Sequence, residues 1–254
     1  MTNTTIMKKI LFLLTLSILL FACTKEQWMS FYDTAQTLKP GTTSINITPD
    51  SNWCGMKVAA WGDSFTGSVE FSVPYTSFLA EMLGIDTRVN VFGALVGGSA
   101  NMFNAGIGGE KSTATKARYD ADTTHKKWAT IIWTGRNDIF IDSAVVHKNI
   151  LAMAKAVPHT KYFVIGIVNA DNPQEWIGTP YHDLVDAFNA SLATEFKTHY
   201  ISPVLTAMNG SAGDSLDIAH GVTPRSLRAD ALHRNSYGNY LMASRIASNI
   251  SICQ

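Results

Sequence analysis

Short apolar runs alternate with longer amphipathic runs along the chain from Met56 onward. Short apolar runs are typical of strands that are buried on both faces. They predict strands over residues 57–61, 88–92, 130–133, 161–168 and 200–204. The longer runs have helical spacing and predict helices over residues 73–83, 143–156, 181–198 and 236–250. Strands that alternate with helices favour an α/β fold, in which a parallel sheet carries helices on both faces.

The first 22 residues follow a different pattern, in which two lysines precede an apolar run over residues 10–22. That run is shorter than the about 20 residues that a membrane-spanning helix needs, so it predicts a signal peptide. Its end, Leu20-Phe21-Ala22-Cys23, resembles the lipobox of bacterial lipoproteins, although Phe21 stands where a smaller residue is more usual. The resemblance implies cleavage after residue 22 and lipidation of Cys23. We therefore expect an exported protein that is lipid-anchored to a bacterial membrane, on its periplasmic face or at the cell surface. A plain secretory signal and an uncleaved anchor are the alternatives.

Residues 23–53 combine turn-forming Pro and Gly with several aromatic residues, which predicts a linker that packs in part. The domain proper is expected over residues 54–254. If Cys23 is lipidated, Cys54 and Cys253 are the remaining cysteines. Disulfides persist in exported proteins, so these two could pair, and two buried free thiols are the alternative.

Charge and histidine spacing narrow the classes of partner. The chain has 20 Lys and Arg residues against 20 Asp and Glu residues, so its balance does not favour a polyanionic partner such as nucleic acid. Apart from the two histidines considered below, the histidines show no metal-ligand spacing. We expect no nucleic acid, no metal and no cofactor.

Gly62-Asp63-Ser64 directly follows the first predicted strand. Ligands of parallel sheets bind beyond the carboxyl ends of the strands, so Ser64 is a candidate nucleophile. A serine in such a turn is more often a turn former or a helix cap. Ser64 therefore needs a base, a carboxylate that orients the base, and donors for a developing oxyanion.

Two segments could supply the base and its carboxylate, because Asp230 and His233 have the same three-residue spacing as Asp217 and His220. Spacing alone does not choose between them. His233 directly precedes Arg234-Asn235-Ser236 and the last predicted helix, which places it on a capped and fixed element. We therefore predict that Asp230 and His233 are the functional pair and that His220 is a surface or capping residue.

Donors for an oxyanion are available in two further segments. The side-chain amide of Asn137, which follows the third predicted strand, can donate a hydrogen bond to developing negative charge. Glycines at 106, 108 and 109 let a backbone N–H approach the same point. Taken singly, Asn137 could merely turn the chain and the glycines could form a flexible loop.

These four segments, in this order, resemble the motifs of the SGNH, or GDSL-type, hydrolases over residues 56–252. The resemblance implies that Ser64, Asp230 and His233 form a catalytic triad. It also implies an oxyanion hole of the Ser64 and Gly109 backbone amides and the Asn137 side chain. The family's fold is a three-layer α/β/α sandwich with a mostly parallel five-stranded sheet, of flavodoxin-like type. Residues 93–103 are longer than many members require, which predicts a lid or substrate wall.

The function that follows from the resemblance is a serine esterase acting through an acyl-enzyme. A small O-acyl group, such as acetyl, on a carbohydrate is the expected substrate, with Trp133, Phe140 and Trp176 as rings on which a sugar could stack. Core packing is the alternative for these rings. The alternatives for the protein are a lysophospholipase, thioesterase or arylester hydrolase, and a surface lipoprotein that binds without turnover.

Overall fold

A computed structural model describes residues 53, 56–67, 69, 72–85 and 101–250. The chain divides into the units Met1–Asn46 and Ile47–Gln254, and every described residue belongs to the second. The predicted signal peptide, the lipidation of Cys23 and the pairing of Cys54 with Cys253 lie outside the described residues. So do the strand predicted at 88–92 and most of the expected 93–103 insertion.

The described residues contain a sheet of five strands: β1 (Val58–Gly62), β2 (Met102–Gly106), β3 (Ala129–Trp133), β4 (Tyr162–Ile165) and β5 (Tyr200–Ile201). Their order is β2-β1-β3-β4-β5, and all neighbours are parallel. This is the flavodoxin-like order, whose strand order reverses between β1 and β3. Gly62 lies opposite both Gly106 and Trp133, so β1, β2 and β3 end level and the segments that follow them meet at one edge.

Seven α-helices connect and flank these strands within the described residues: α1 (Ser64–Gly67), α2 (Tyr75–Met82), α3 (Ser112–Ala121), α4 (Ser143–Ala156), α5 (Pro180–Phe196), α6 (Ala212–Ala219) and α7 (Ser236–Ala247). Polar side chains fix several of their starts. Asp142 accepts a hydrogen bond from the Val145 amide at the start of α4, and Asn235 accepts one from the Gly238 amide at the start of α7.

Two apolar layers sandwich the sheet because successive strand residues point to opposite faces. On one face, Val58 and Ala60 belong to a cluster with Leu79 of α2 and Met242 and Ile246 of α7. On the other face, Ala59 and Trp61 belong to a cluster with residues of α4 and α5 such as Ile150 and Leu192. The predicted three-layer α/β/α sandwich with a parallel five-stranded sheet is confirmed. None of the helices in the described ranges combines the length and hydropathy that crossing a membrane requires.

The apolar pattern did not predict the strand β2 that pairs with β1, whereas the strand predicted at 88–92 lies outside the described residues. The strand that pairs with β1 is Met102–Gly106, whose asparagine and glycine resemble a loop. Met102 and Phe103 are therefore part of the sheet rather than of an insertion. The prediction for β5 was too long, since the strand ends at Ile201 and Pro203, which cannot donate a ladder hydrogen bond, follows two residues later.

Candidate active site

The turn that carries Ser64 is built by its two predecessors. Gly62 ends β1, and a Cβ atom on it would lie 2.0 Å from the Trp133 carbonyl oxygen, so only glycine fits. Asp63 is fully buried, and its Oδ1 accepts a hydrogen bond of 3.0 Å from the Phe65 amide. Ser64 is therefore held at the carboxyl end of β1, next to the point where the strand order reverses.

A chain of hydrogen bonds joins Ser64, His233 and Asp230. Nε2 of His233 lies 2.8 Å from Oγ of Ser64, and Nδ1 lies 2.8 Å from Oδ2 of Asp230. The other oxygen of Asp230 accepts the backbone amides of Leu232 and His233, both at 2.7 Å. Partial burial would raise the pKa of Asp230, but these amides and the imidazole outweigh that effect and hold the pKa below its usual range. Asp230 is thus an ionised carboxylate that orients the imidazole toward the serine.

The loop of residues 229–233 is closed by backbone contacts on both sides. The Ala229 amide donates to the His233 carbonyl at 2.8 Å, and the flanking residues Arg228 and Arg234 form an antiparallel bridge. The Asp171 amide, in the loop after β4, donates to the Ala231 carbonyl at 2.7 Å. These contacts fix the position of His233 relative to the sheet.

The competing pair, Asp217 and His220, is used differently. The carboxylate of Asp217 is buried and accepts hydrogen bonds from Arg225 and Arg228 instead of from the histidine. The His220 ring stacks on Trp176 with a centroid distance of 3.6 Å. The structure therefore brings His233, and not His220, to Ser64.

A third Asp/His pair with this spacing escaped the sequence reasoning. Nδ1 of His125 lies 2.7 Å from Oδ2 of Asp122, which matches the contact between His233 and Asp230. Among the described residues, no serine forms a hydrogen bond with the His125 ring, which lies flat on Phe103 at 3.7 Å. The repeated spacing in the sequence would have revealed this pair.

The candidate oxyanion donors face the same edge of the sheet. The Ile107 amide donates to the Gly62 carbonyl at 3.1 Å, which brings the loop after β2 against the Ser64 turn. Gly109 has a φ of +73°, a conformation that favours glycine. Nδ2 of Asn137 donates to the Glu110 carbonyl at 3.0 Å, which ties its amide beside Gly109. Within the described ranges, no group accepts the backbone N–H of Ser64 or Gly109, so both can serve a ligand.

Several buried or half-buried polar residues brace these loops, in roles that the sequence pattern does not predict. Nδ2 of Asn104 donates to the Thr66 carbonyl at 2.8 Å, and so holds α1 against the end of β2. The carboxylate of Asp138 accepts the amide and the hydroxyl of Ser112, the latter at 2.6 Å. Asn104 is a polar residue within β2, and Asp138 is a polar residue in the segment that follows β3. That is a signal in the sequence, but one that does not reveal the partner.

A buried ion pair connects the Asn137 loop to the loop after β4. Nη2 of Arg136 lies 2.7 Å from Oε1 of Glu175, and both side chains are nearly buried. The second oxygen of Glu175 also accepts the Ala170 amide at 2.8 Å. Breaking one partner of such a pair leaves an uncompensated buried charge, so the pair fixes the segment that precedes Asn137.

The two carboxyl groups nearest Ser64 differ in their electrostatics. Burial raises the pKa of Asp63 to about 7, against the opposing effect of the Phe65 and Arg136 backbone amides, and the charge of Asp138 raises it further. Oδ2 of Asp63 has no hydrogen-bond partner among the described residues. Asp63 is therefore partly neutral near pH 7, whereas Asp230 is charged.

The three aromatic residues considered for sugar stacking have different surroundings. Trp133 is only 2% exposed and stacks on Phe65, so the expectation that it meets a ligand is wrong. Phe140 packs between the Arg136 guanidinium and Tyr181. Trp176 is half-buried at the surface of the loop after β4. In the described part of the chain, no group of three His, Cys, Asp or Glu side chains is arranged to hold a metal ion.

The similarity of this chain to known proteins in sequence is partial. No protein-family model matches the chain. A segment is similar to the tail spike protein of Salmonella phage epsilon15, with 35% identity over 118 residues; the match covers 43% of this chain and 11% of the tail spike. The chain thus spans about a ninth of that relative's length.

Solved structures with the same architecture cover most of the chain. A G-D-S-L family protein from Desulfitobacterium hafniense DCB-2 has a TM-score of 0.53 and 19% identity, covering 78% of this chain and 100% of that one. The acetyl xylan esterase AlAXEase has a TM-score of 0.54 and 19% identity, covering 77% and 100%. An acetylxylan esterase from Geobacillus stearothermophilus has a TM-score of 0.51 and 16% identity, covering 80% and 97%. The chain has the fold of the SGNH, or GDSL-type, hydrolases, as its motifs predicted.

Proposed function

We propose that this protein is a serine esterase that hydrolyses carboxylic esters through an acyl-enzyme. The observation that carries the proposal is the hydrogen-bonded chain from Ser64 Oγ through His233 to Asp230, with 2.8 Å at each link to the imidazole. A serine is a weak nucleophile unless an adjacent base removes its proton. His233 is in position to do so, and Asp230 stabilises the imidazolium that results.

The reaction has two halves that use the same groups. As His233 takes the proton, Oγ of Ser64 attacks the ester carbonyl carbon, and the carbonyl oxygen becomes an oxyanion. The backbone amides of Ser64 and Gly109 and the side chain of Asn137 stabilise that charge. The C–O bond to the alcohol then breaks, and His233 gives its proton to the leaving oxygen. In the second half, His233 deprotonates a water that attacks the acyl-enzyme, which releases the acid and restores Ser64.

Hydrolysis of p-nitrophenyl acetate by the purified protein and by Ser64→Ala tests this proposal. We expect the variant to lose at least about 10⁴-fold in kcat, since removing the nucleophile removes the acyl-enzyme route. Equal rates for the two proteins would overturn the esterase proposal and would favour a binding protein built on the same scaffold.

For the substrate we propose a small O-acyl group, acetyl first, on a carbohydrate. Support comes from solved structures of the same fold, two of which are acetylxylan esterases by name. Fold alone does not fix specificity, which comes from the loops around the site. Rates on acetylated sugars, lysophospholipids and acyl thioesters, measured side by side, test the proposal, and a preference for lysophospholipids would contradict it.

A second candidate is a lipid or another long-chain ester. Four of the exposed large apolar side chains, Ile107, Ile141, Ile177 and Tyr181, lie on segments that follow the carboxyl ends of β2, β3 and β4. Exposed apolar groups beside a site can receive an acyl chain. A p-nitrophenyl ester series from two to twelve carbons separates the candidates, because a small acyl pocket predicts a fall beyond about four carbons.

We also propose that Cys23 anchors the protein to a membrane after export. The support is the Leu20-Phe21-Ala22-Cys23 sequence behind a short apolar run. Cell fractionation tests this: the unchanged protein should partition with membranes, whereas Cys23→Ser should not carry the lipid. Equal membrane association of the two proteins without detectable lipidation would contradict the proposal.

A further inference from the structure

The loop between β4 and α5, residues 166–179, touches both halves of the candidate site. On one side, the Asp171 amide donates to the Ala231 carbonyl at 2.7 Å, between Asp230 and His233. On the other side, Glu175 pairs with Arg136, which directly precedes Asn137. The loop therefore forms a wall that runs from the oxyanion donors to the base.

The chemistry determines which part of the substrate meets this wall. His233 protonates the leaving oxygen, so the alcohol half of the ester must lie on the His233 side of Ser64. The carbonyl oxygen lies on the opposite side, at Gly109 and Asn137. Because the loop contacts the Asp230–His233 segment at Asp171, it borders the space in which the alcohol half must lie.

Trp176 is held in a fixed orientation on this loop. Its Nε1 donates to Oδ1 of Asp171 at 3.1 Å, and one face of its ring stacks on His220 at 3.6 Å with 14° between the planes. The Ile177 amide also donates to the His220 carbonyl at 2.9 Å. A half-buried indole held in this way offers apolar ring area at little cost in conformational entropy.

Polar groups for hydroxyls lie next to the ring. The carboxylate of Asp171 is about a quarter exposed, and Arg228 fixes its Oδ2 at 3.0 Å. Oδ1 of Asn169, two residues earlier, is buried without a hydrogen-bond partner among the described residues. An unsatisfied buried acceptor is uncommon and is relieved by a donor such as a ligand hydroxyl.

We propose that Trp176, Asp171 and Asn169 form a subsite for the sugar ring that carries the ester. A pyranose has an apolar C–H face that fits an indole and hydroxyls at its edge that fit the carboxylate and the amide oxygen. This inference rests on the proposed esterase function and names the residues that would select a carbohydrate alcohol.

The test compares two acetyl esters that differ only in the alcohol half: mono-O-acetylated xylobiose, whose other hydroxyls are free to donate, and ethyl acetate. For Trp176→Ala, kcat/KM on the sugar ester should fall by about tenfold, mainly through KM, because one well-ordered aromatic contact is worth about 1.4 kcal/mol. On ethyl acetate the variant should stay within about twofold of the unchanged protein. Trp176→Phe keeps a ring without the Asp171 hydrogen bond, and it should recover part of the sugar activity.

Trp128 provides a matched control. It is also half-buried and also contacts a histidine ring, that of His125, but it directly precedes β3 and so lies at the opposite end of the sheet. Trp128→Ala should change neither rate. Equal losses on both esters in Trp176→Ala, or no loss on either, would overturn the subsite. An unchanged protein that hydrolyses ethyl acetate but not the sugar ester would overturn the subsite and leave the esterase proposal standing, and hydrolysis of neither ester would remove both.

Discussion

Two loops of this protein have nearly the same local structure and different surroundings. In Asp230–His233 and in Asp122–His125, one carboxylate oxygen lies 2.7 to 2.8 Å from Nδ1 of the histidine. The other carboxylate oxygen accepts a hydrogen bond from the histidine's own backbone amide. In both loops, the amides and the imidazole outweigh burial and hold the pKa of the aspartate below its usual range. The Asp-x-x-His contact is therefore encoded locally, by three residues of spacing.

What separates the two loops is their place in the fold. Asp122–His125 connects α3 to the amino end of β3, and its imidazole lies flat against Phe103 near the start of β2. Asp230–His233 lies at the opposite edge, where the carboxyl ends of the strands meet, and its imidazole reaches Ser64. A carboxylate-imidazole pair thus becomes a candidate base only where topology supplies a nucleophile.

The difference between the two loops should be largest when each imidazole is removed in turn. His233→Ala should lower kcat for p-nitrophenyl acetate by about 10⁴-fold or more, because Ser64 loses its base. His125→Ala and His220→Ala should stay within about threefold, since in the part of the chain that the structure describes neither ring forms a hydrogen bond with a serine. Comparable losses in His125→Ala or His220→Ala, with the folded state intact by circular dichroism, would refute the assignment of the base.

Removing only the carboxylate charge tests whether Asp230, unlike Asp122, supports catalysis. Asp230→Asn should lower kcat by about 10³- to 10⁴-fold, because an amide does not stabilise the imidazolium and leaves the wrong tautomer facing Ser64. Asp122→Asn is the matched control and should leave kcat unchanged. If Asp230→Asn kept full activity, the aspartate would be a structural cap like Asp122 rather than part of the triad.

A smaller effect is expected from the loss of one oxyanion donor. Asn137→Ala should lower kcat by about 10²- to 10³-fold with little change in KM, the usual cost of one oxyanion donor. Asn149→Ala is the control, because the side-chain amide of Asn149 also donates hydrogen bonds within the protein, but to the hydroxyls of Ser112 and Thr113 on α3. The Asn149→Ala variant should have a lower melting temperature than the unchanged protein and the same kcat. A KM effect without a kcat effect in Asn137→Ala would show that Asn137 binds the ground state only.

Much of the fold follows from apolar periodicity, and the exception has a physical reason. β1, β3 and β4 are continuous apolar runs buried on both faces, and their predicted positions differ from the observed ones by a few residues. β2 contains Asn104, a half-buried polar residue whose side-chain amide donates hydrogen bonds to Thr66 and Thr76. Periodicity alone cannot foresee that compensation, because the partners lie 28 or more residues away.

Among the helices, too, apolar spacing predicts some and not others. The prediction for α4 matches the observed Ser143–Ala156, whose apolar positions recur at helical spacing above an Asp142 cap. The apolar pattern did not predict α1, α3 or α6. α3 has few large apolar residues and buries chiefly Tyr119 among them. At the site, the family resemblance implied the roles of Ser64, Gly109, Asn137, Asp230 and His233, and the structure places these residues at one edge of the sheet. The braces Asp138, Glu175 and Asp171 act through partners distant in sequence, so the pattern could not assign them.

Two aspartates that are both buried, Asp63 and Asp217, should affect the stability of the protein in opposite ways as the pH changes. Burial raises the pKa of Asp63 to about 7, above the about 3.9 of an unfolded chain. The stability that its proton contributes is therefore full below about pH 3.9 and is lost as the pH rises to about 7. Asp63→Asn keeps an acceptor for the Phe65 amide and cannot ionise, so its melting temperature relative to the unchanged protein should rise by about 3 to 10 °C between pH 4 and pH 7.

For Asp217→Asn, the melting temperature relative to the unchanged protein should instead fall as the pH rises. Burial alone would raise the pKa of Asp217, but hydrogen bonds from Arg225 and Arg228 outweigh burial and lower it. The stability that the Asp217 carboxylate contributes is therefore present above the pKa of the unfolded chain and is lost in acid. Thermal unfolding at several pH values measures both slopes, and a flat difference for Asp63→Asn would mean that Asp63 stays charged beside Ser64.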